Sequence, residues 1–152
     1  MKRQPFKFEL ETVLRVRERE TIAARNVVER ASAIVTEQRK TIRGLEEQLR
    51  QEIKEIQDTR DHGRLMTLRR SSARQGQIRV RIQQEMRLLE KRIEEHRVAK
   101  SRLVQSRMNE ETIIQLRDNA YEQYRKDMEQ AENAYTDELV QLTSARTARE
   151  NL

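Results

Sequence analysis

Hydrophobic positions between residues 82 and 142 recur every three or four residues. From Ile82 the steps alternate between four and three, and Leu139 and Leu142 extend the series after one irregular step. A repeat of about 3.5 residues is typical of an α-helix that packs along another helix. Because the stretch contains neither proline nor glycine, we predict one long helix that needs a partner. The members of the series between Ile82 and Leu139 are Met86, Leu89, Ile93, His96, Lys100, Leu103, Arg107, Glu110, Ile114, Arg117, Tyr121, Tyr124, Met128, Ala131 and Tyr135.

A second pattern of the same kind occupies the first sixty residues. One mostly apolar column recurs at seven-residue intervals, and a companion column contains small and mixed residues. We therefore predict a first helix over residues 8–60, about 80 Å long at about 1.5 Å per residue. The apolar column is Leu14, Thr21, Val28, Val35, Ile42, Leu49 and Ile56, and the companion column is Leu10, Arg17, Ala24, Ala31, Gln38, Leu45 and Glu52.

The first strong stop signal is the sequence Asp-His-Gly at residues 61–63. Glycine favours the left-handed conformation that caps the carboxyl end of a helix. Ser71 and Ser72 are candidate caps for the next helix, and Gly76 disfavours a helix that runs through it. The sequence therefore predicts a basic turn within residues 61–76.

A second helix is then expected over residues 77–145, similar in length to the first. Two such arms joined by a short link predict an antiparallel arrangement. We expect residues 1–152 to form a single all-α domain, a long two-helix antiparallel coiled-coil hairpin.

The composition agrees with long helices and a small interior. Charged residues make up 38% of the chain and aromatic residues 3%, and there are one proline and three glycines. Such values are typical of coiled coils. Disorder is the competing interpretation of so polar a chain, but the sustained heptads argue against it.

Charge is distributed unevenly along the chain, whose net charge is +6. Residues 58–81 carry seven bases and two acids, a net +5, and residues 118–138 carry seven acids and two bases, a net −5. The first 25 residues carry a net +3. In an antiparallel hairpin the acidic carboxyl arm would lie beside the basic amino arm.

The chain contains none of the common signatures of catalysis. It has no cysteine, no glycine-rich phosphate-binding loop, and two distant histidines that form no metal-ligand pair. We therefore expect no enzyme activity, no cofactor and no metal. No apolar run approaches the roughly 18 residues that a transmembrane helix needs, and no transmembrane segment is expected.

Nucleic-acid binding is an alternative suggested by the basic residues 69–81. A basic stretch followed by heptads is also the arrangement of a basic-region zipper. Gly76 would interrupt the helix that enters the groove, and few aromatic residues are available to stack on bases. A solvated basic surface is the simpler interpretation, so no direct nucleic-acid binding is expected.

Several segments resemble one known family. The opening residues 6–20 (FKFELETVLRVRERE) are similar to the start of the flagellar export protein family FliJ, and residues 23–25 continue the likeness. Residues 89–97 (LEKRIEEHR) and 124–132 (YRKDMEQAE) resemble later parts of the same family. The resemblance covers nearly the whole chain.

This resemblance implies a fold similar to the stalk of rotary ATPases and a role in flagellar type III protein export. Its expected partners are the hexameric flagellar export ATPase, the cytoplasmic part of the membrane export gate, and export chaperones. The protein would act as a stalk and assembly factor, in the cytoplasm and peripherally at the cytoplasmic face of the inner membrane.

The resemblance also implies positions that contact these partners. The positions that match the family's export-gate contacts are Gln38, Ile42, Leu45, Leu49, Leu89 and His96. Several also belong to the predicted helix–helix columns, so ordinary packing is an equal alternative. For the ATPase, insertion of the paired termini suggests Phe6, Phe8, Leu10, Arg15, Arg17 and Arg19.

Three other functions stay open at this point. One is the equivalent stalk protein of a virulence-type injectisome, which would share the architecture. The others are a basic coiled-coil protein that dimerises on nucleic acid, and a structural spacer without an ATPase partner.

Overall fold

The computed structural model describes residues 5–60 and 65–150. Helix α1 spans Glu11–Arg60 and helix α2 spans Leu65–Glu150. The two long helices pack against each other, and the described ranges contain no strand. This confirms the prediction of an all-α fold built from two helices.

The start of α1 is fixed by two backbone hydrogen bonds. The amide of Glu11 donates to the carbonyl of Phe8 at 3.3 Å, and the amide of Leu14 donates to that of Leu10 at 2.9 Å. Glu11 lies in the first turn, where a carboxylate complements the helix dipole. It also pairs with Arg15 one turn later, at 3.7 Å. The helix therefore begins three residues after the expected start at residue 8.

Helix α2 begins earlier than expected. It starts at Leu65 and runs through Ser71 and Gly76, so the prediction of a turn extending to residue 76 was wrong. Ser71 does not cap a helix; its hydroxyl instead donates to Glu52 Oε2 at 2.8 Å. A glycine within a helix costs only about 1 kcal/mol, which α2 tolerates at Gly76. The expected turn residues 61–63 lie outside the described residues.

The chain divides into two compact units. Unit 1 consists of Met1–Arg19 and Arg107–Leu152, and unit 2 consists of Glu20–Ser106. Each unit contains a part of both helices.

In unit 2, pairs of residues along the two helices show an antiparallel arrangement. Gln38 contacts Glu85, and Glu52, further along α1, contacts Ser71, which is earlier in α2. Residues with higher numbers in α1 therefore contact residues with lower numbers in α2. The expected antiparallel direction is confirmed within this unit.

The buried side chains of α1 are those of the predicted columns. Leu14, Thr21, Val35 and Ile42 are buried in the apolar column, and Leu45 is buried in the companion column. The remaining members of both columns are half-buried, except for Leu10 at the beginning of the helix, which is exposed.

In α2 one predicted column is correct and the other is displaced by one residue. The column that repeats every seven residues from Ile82 is half-buried throughout, and includes Leu89 and His96. The second column is largely wrong, because its first four members are exposed while the residues just before them are buried or half-buried. The exposed residues are Met86, Ile93, Lys100 and Arg107, and the more buried ones are Glu85, Arg92, Ala99 and Ser106.

A charged residue, Arg92, belongs to this displaced column. Ala31, Arg92 and Ala99 line the same groove. Arg92 is half-buried, and its guanidinium lies 2.9 Å from Glu95 Oε2. Long cationic side chains often bury their stems in this way and keep the charge in water.

Candidate partner-binding sites

Gln38 joins the two helices through its side-chain amide. Its Nε2 donates to the carboxylate Oε2 of Glu85 at 2.6 Å and lies 3.1 Å from the backbone carbonyl of the same residue. The contact is partly buried, which strengthens a hydrogen bond to a carboxylate relative to one in water. Gln38 was expected to contact the export gate. In the structure its side chain instead joins α1 to α2.

The other expected gate residues also lie between the helices. Ile42 and Leu45 are 7% and 5% exposed, so the packed helices leave almost none of their surface for a partner. Leu49, Leu89 and His96 are half-buried. The structure thus places these side chains along the helix–helix interface, with Leu89 and His96 further from the Glu52–Ser71 contact than Ile42, Leu45 and Leu49.

A polar cluster lies on the same interface near the start of α2. Glu52 accepts a hydrogen bond from Ser71 and another from Arg74, whose Nη1 lies 3.1 Å from Glu52 Oε1. These two bonds, first that from Ser71, lower the pKa of Glu52 below its ordinary value of 4.5. The cluster therefore holds a carboxylate that stays charged between the helices, and sequence patterns alone did not indicate it.

Three aromatic rings hold the segment before α1 against α2 in unit 1. The ring of Phe6 meets Tyr121 edge-on, with centroids 5.2 Å apart and planes at 81°. Its centroid lies 5.5 Å from that of Tyr124, and the two tyrosines are 6.3 Å apart. Edge-to-face arrangements are the favoured geometry of aromatic pairs. Phe6, an expected ATPase contact, is thus a packing residue. The sequence placed its two partners, Tyr121 and Tyr124, only in the hydrophobic repeat of the second helix.

The remaining expected ATPase residues lie around the start of α1. Phe8 is half-buried and Leu10 is exposed. Arg15 and Arg19 are exposed, whereas Arg17 is half-buried. These three arginines lie among four glutamates within residues 9–20, and Arg15 pairs with Glu11, so this segment has no excess of positive charge.

The end of α2 presents an uncovered helical surface. From Tyr124 the helix continues to Glu150, about 39 Å further at about 1.5 Å per residue. All residues from 132 to 146 are exposed. Tyr135, Leu139 and Leu142 follow one another at steps of four and three, so they share one side of the helix. The sequence predicted that these three residues pack between the two helices. In the structure their side chains are exposed.

Metal sites and membrane spans are two other features that a chain rich in acidic residues and long helices could contain. No group of three or more histidine, cysteine, aspartate or glutamate side chains among them is arranged to hold a metal ion. Within the same ranges, no helix is long and apolar enough to cross a membrane.

Comparison with known families decides the relationship of the chain. A family model described as the flagellar FliJ protein matches residues 6–149. The chain belongs to the FliJ family. This confirms the resemblance seen in the sequence, and FliJ membership implies a component of the flagellar export apparatus. Neither the curated proteins nor the solved structures gave a match to the chain.

Proposed function

We propose that this FliJ-family chain is a non-catalytic stalk and assembly factor for the hexameric flagellar export ATPase. It links the ATPase to the cytoplasmic part of the membrane export gate and to export chaperones. It acts in the cytoplasm and peripherally at the inner membrane. The family match over residues 6–149 supports the assignment to flagellar export rather than to an injectisome.

The ATPase contact is proposed for unit 1, and one observation carries it. The exposed stripe of Tyr135, Leu139 and Leu142 lies on a helical end that no described side chain covers. An apolar stripe at steps of three and four is the pattern by which one helix packs on another. Arg15, Arg17 and Arg19, which the family resemblance suggested, lie in the same unit and are included in the proposed contact.

The test is the hydrolysis rate and ring assembly of the export ATPase with and without this protein. We expect stimulation by the full chain, and loss of stimulation in a variant that carries Tyr135→Ser, Leu139→Ser and Leu142→Ser. The matched control places three serines on the opposite side of the same helix, at Gln130, Asn133 and Gln141, and should retain stimulation.

Two results would contradict this proposal. One is an unchanged rate and unchanged assembly in the presence of the full chain. The other is equal loss of stimulation in both serine variants, with the helical content of both unchanged. That result would show that the apolar stripe has no special part in the ATPase contact. Removal of residues 1–10 tests whether the amino-terminal segment shares in the contact.

The export-gate contact is proposed at Gln38, Ile42, Leu45, Leu49, Leu89 and His96. Since Ile42 and Leu45 are buried between the helices, a partner reaches them only if α1 and α2 separate locally. The proposal therefore includes local opening of the helix pair in unit 2.

A disulfide across the helix pair tests this opening. The chain has no cysteine, so the double variant Glu52→Cys with Ser71→Cys introduces a single possible bridge across the interface, between two residues that are hydrogen-bonded at 2.8 Å and lie outside the proposed gate contact. We expect the oxidised variant to lose binding to the cytoplasmic part of the gate and the reduced variant to retain it. Equal binding in both states would show that the gate uses a surface outside the interface.

A further inference from the structure

The first seventeen residues of α2 form an unusually basic stretch of helix. Residues 65–81 contain five arginines and no acidic residue. Arg74 pairs with Glu52 across the interface. The other four arginines are exposed and form no ion pair with a described residue: Arg69, Arg70, Arg79 and Arg81. Among the described residues, therefore, no ion pair neutralises these four positive charges.

The same stretch exposes apolar side chains on its outer side. Leu65 and Met66 are 73% and 69% exposed, and Val80 is also exposed. Met66, Ala73 and Val80 are seven residues apart, which puts them on one line along the helix. The inward positions of this stretch are Leu68, Ser71, Gln75 and Ile78, each buried or half-buried. The outer side thus presents an exposed apolar line, whose first member, Met66, also borders a pocket shared with Glu55 and Ile56 of α1.

Arginines border this apolar line on both sides. At about 100° per residue, Arg69 lies to one side of Ala73 and Arg70 and Arg81 lie to the other. Ala73, Gly76, Val80 and Arg81 line one shallow groove on this surface. We name the surface formed by Leu65, Met66, Arg69, Arg70, Ala73, Gly76, Val80 and Arg81 the outer arginine face.

An apolar line flanked by cations is the pattern of a helix that lies in the surface of an anionic bilayer. The apolar side chains enter the boundary between headgroups and acyl chains, while the arginines contact lipid phosphates. A nucleic-acid site would use the same arginines but would leave Leu65, Met66 and Val80 without a function, and residues 65–81 contain no aromatic side chain to stack on bases.

We infer that the outer arginine face binds the surface of an anionic lipid bilayer. Residues 65–81 lie along the membrane over about 25 Å at about 1.5 Å per residue. This inference rests on the peripheral membrane location in the proposed function and names the surface that would carry it. It does not depend on the ATPase contact, because its residues all lie in unit 2, whereas the proposed ATPase stripe lies in unit 1.

Sedimentation of the full chain with lipid vesicles tests the inference. We expect binding to vesicles that contain about one third phosphatidylglycerol at 100 mM salt, and at least tenfold weaker binding to neutral phosphatidylcholine vesicles. Because each arginine near such a surface contributes about fivefold to the binding constant, Arg69→Gln with Arg70→Gln should weaken binding about 25-fold. Replacement of Met66 and Val80 by serine should weaken binding with no change of charge.

The matched control removes the same charge elsewhere in unit 2. Arg43→Gln with Lys54→Gln neutralises two exposed cations of α1, outside the outer arginine face, and should reduce vesicle binding much less. Circular dichroism at 222 nm verifies that each variant stays helical.

Three results would overturn the inference. The first is absence of binding to the anionic vesicles. The second is an equal loss of binding in the control and in the arginine variant, which would mean that only net charge matters. The third is binding to duplex DNA that is tighter than to vesicles and unaffected by the serine substitutions, which would assign the arginines to nucleic acid.

Discussion

Gln38 of α1 donates a hydrogen bond to the carboxylate of Glu85 of α2, with Nε2 and Oε2 2.6 Å apart. Both residues occupy positions where a coiled coil usually places apolar side chains. A polar pair at such a position costs some stability but disfavours other alignments of the helices. In unit 2 it therefore selects one alignment of the antiparallel helices.

The first prediction concerns this pair. Replacement of Gln38 by alanine removes the hydrogen bonds to Glu85 and should lower the free energy of unfolding by about 1 kcal/mol, since the contact is only partly buried. Urea unfolding followed by circular dichroism measures the change. Gln48→Ala, at an exposed position of the same helix, is the control and should change stability little. An equal effect of both substitutions would mean that the loss comes from helix propensity alone.

The second prediction concerns pH. Ser71 and Arg74 lower the pKa of Glu52 in the folded state, so the charged carboxylate stabilises the fold above pH 4.5. That stabilisation is lost as the pH falls below 4.5 and through the lowered pKa of the folded protein. Glu52→Gln should remove this part of the pH dependence and lose less thermal stability than the wild type between pH 6 and pH 3.

The control for the pH experiment is Glu46→Gln, which alters an exposed glutamate of the same helix. It should keep the acid sensitivity of the wild type. If the melting temperatures of the wild type and Glu52→Gln fall in parallel over the whole range, the cluster does not contribute to acid sensitivity.

The third prediction concerns a buried hydroxyl. Thr21 is buried in the apolar column, and its Oγ1 has no hydrogen-bond partner among the described residues. Replacement of Thr21 by valine keeps the shape of the side chain and removes the unpaired polar atom. The change should raise the free energy of unfolding by about 1 kcal/mol.

Thr36 provides the comparison, because it is exposed and its hydroxyl donates to the carbonyl of Ser32 at 3.0 Å. Thr36→Val should leave stability nearly unchanged. Loss of stability in Thr21→Val would show that the hydroxyl is in fact satisfied, for example by an ordered water.

The fourth prediction concerns the aromatic cluster of unit 1. Phe6→Ala removes the ring that packs on both Tyr121 and Tyr124. Since aromatic pairs contribute about 0.5–1.5 kcal/mol each beyond their buried area, we expect destabilisation of about 1–2 kcal/mol. The chain has no tryptophan, so tyrosine fluorescence and near-ultraviolet circular dichroism report on the cluster directly.

Tyr135→Ala is the control, since Tyr135 is exposed and lies outside the cluster. It should leave the stability of the fold almost unchanged. A near-ultraviolet spectrum that is the same in Phe6→Ala and in the wild type would contradict the packing of Phe6 on the tyrosines.

The period of the hydrophobic pattern was sufficient to predict two helices that pack together. Leu14, Val35 and Ile42 repeat at multiples of seven, and each is buried. Local patterns predict such features because the period of a helix is a property of the backbone and does not depend on which residues face it. The family resemblance was also readable from the sequence and is confirmed over residues 6–149.

The sequence did not decide which of two adjacent residues enters the interface of α2. Met86 and Glu85 both fit a 3.5-residue repeat after Ile82, and apolar character favoured Met86. The packed helices bury Glu85 more than Met86, because the amide of Gln38 on α1 supplies its hydrogen-bond partner. Partners from a distant part of the chain determine the energy of a polar residue, and a local window does not contain them.

The sequence by itself thus determined the helical class, the seven-residue columns of α1, the uneven charge and the family. Only the tertiary structure decided the second column of α2, the polar cluster of Glu52, and the packing of Phe6 on the tyrosines. It also showed that the apolar stripe after residue 132 is left uncovered. The physical reason is that helix formation is governed by neighbouring residues, whereas burial depends on which side chains the other helix presents at the same level.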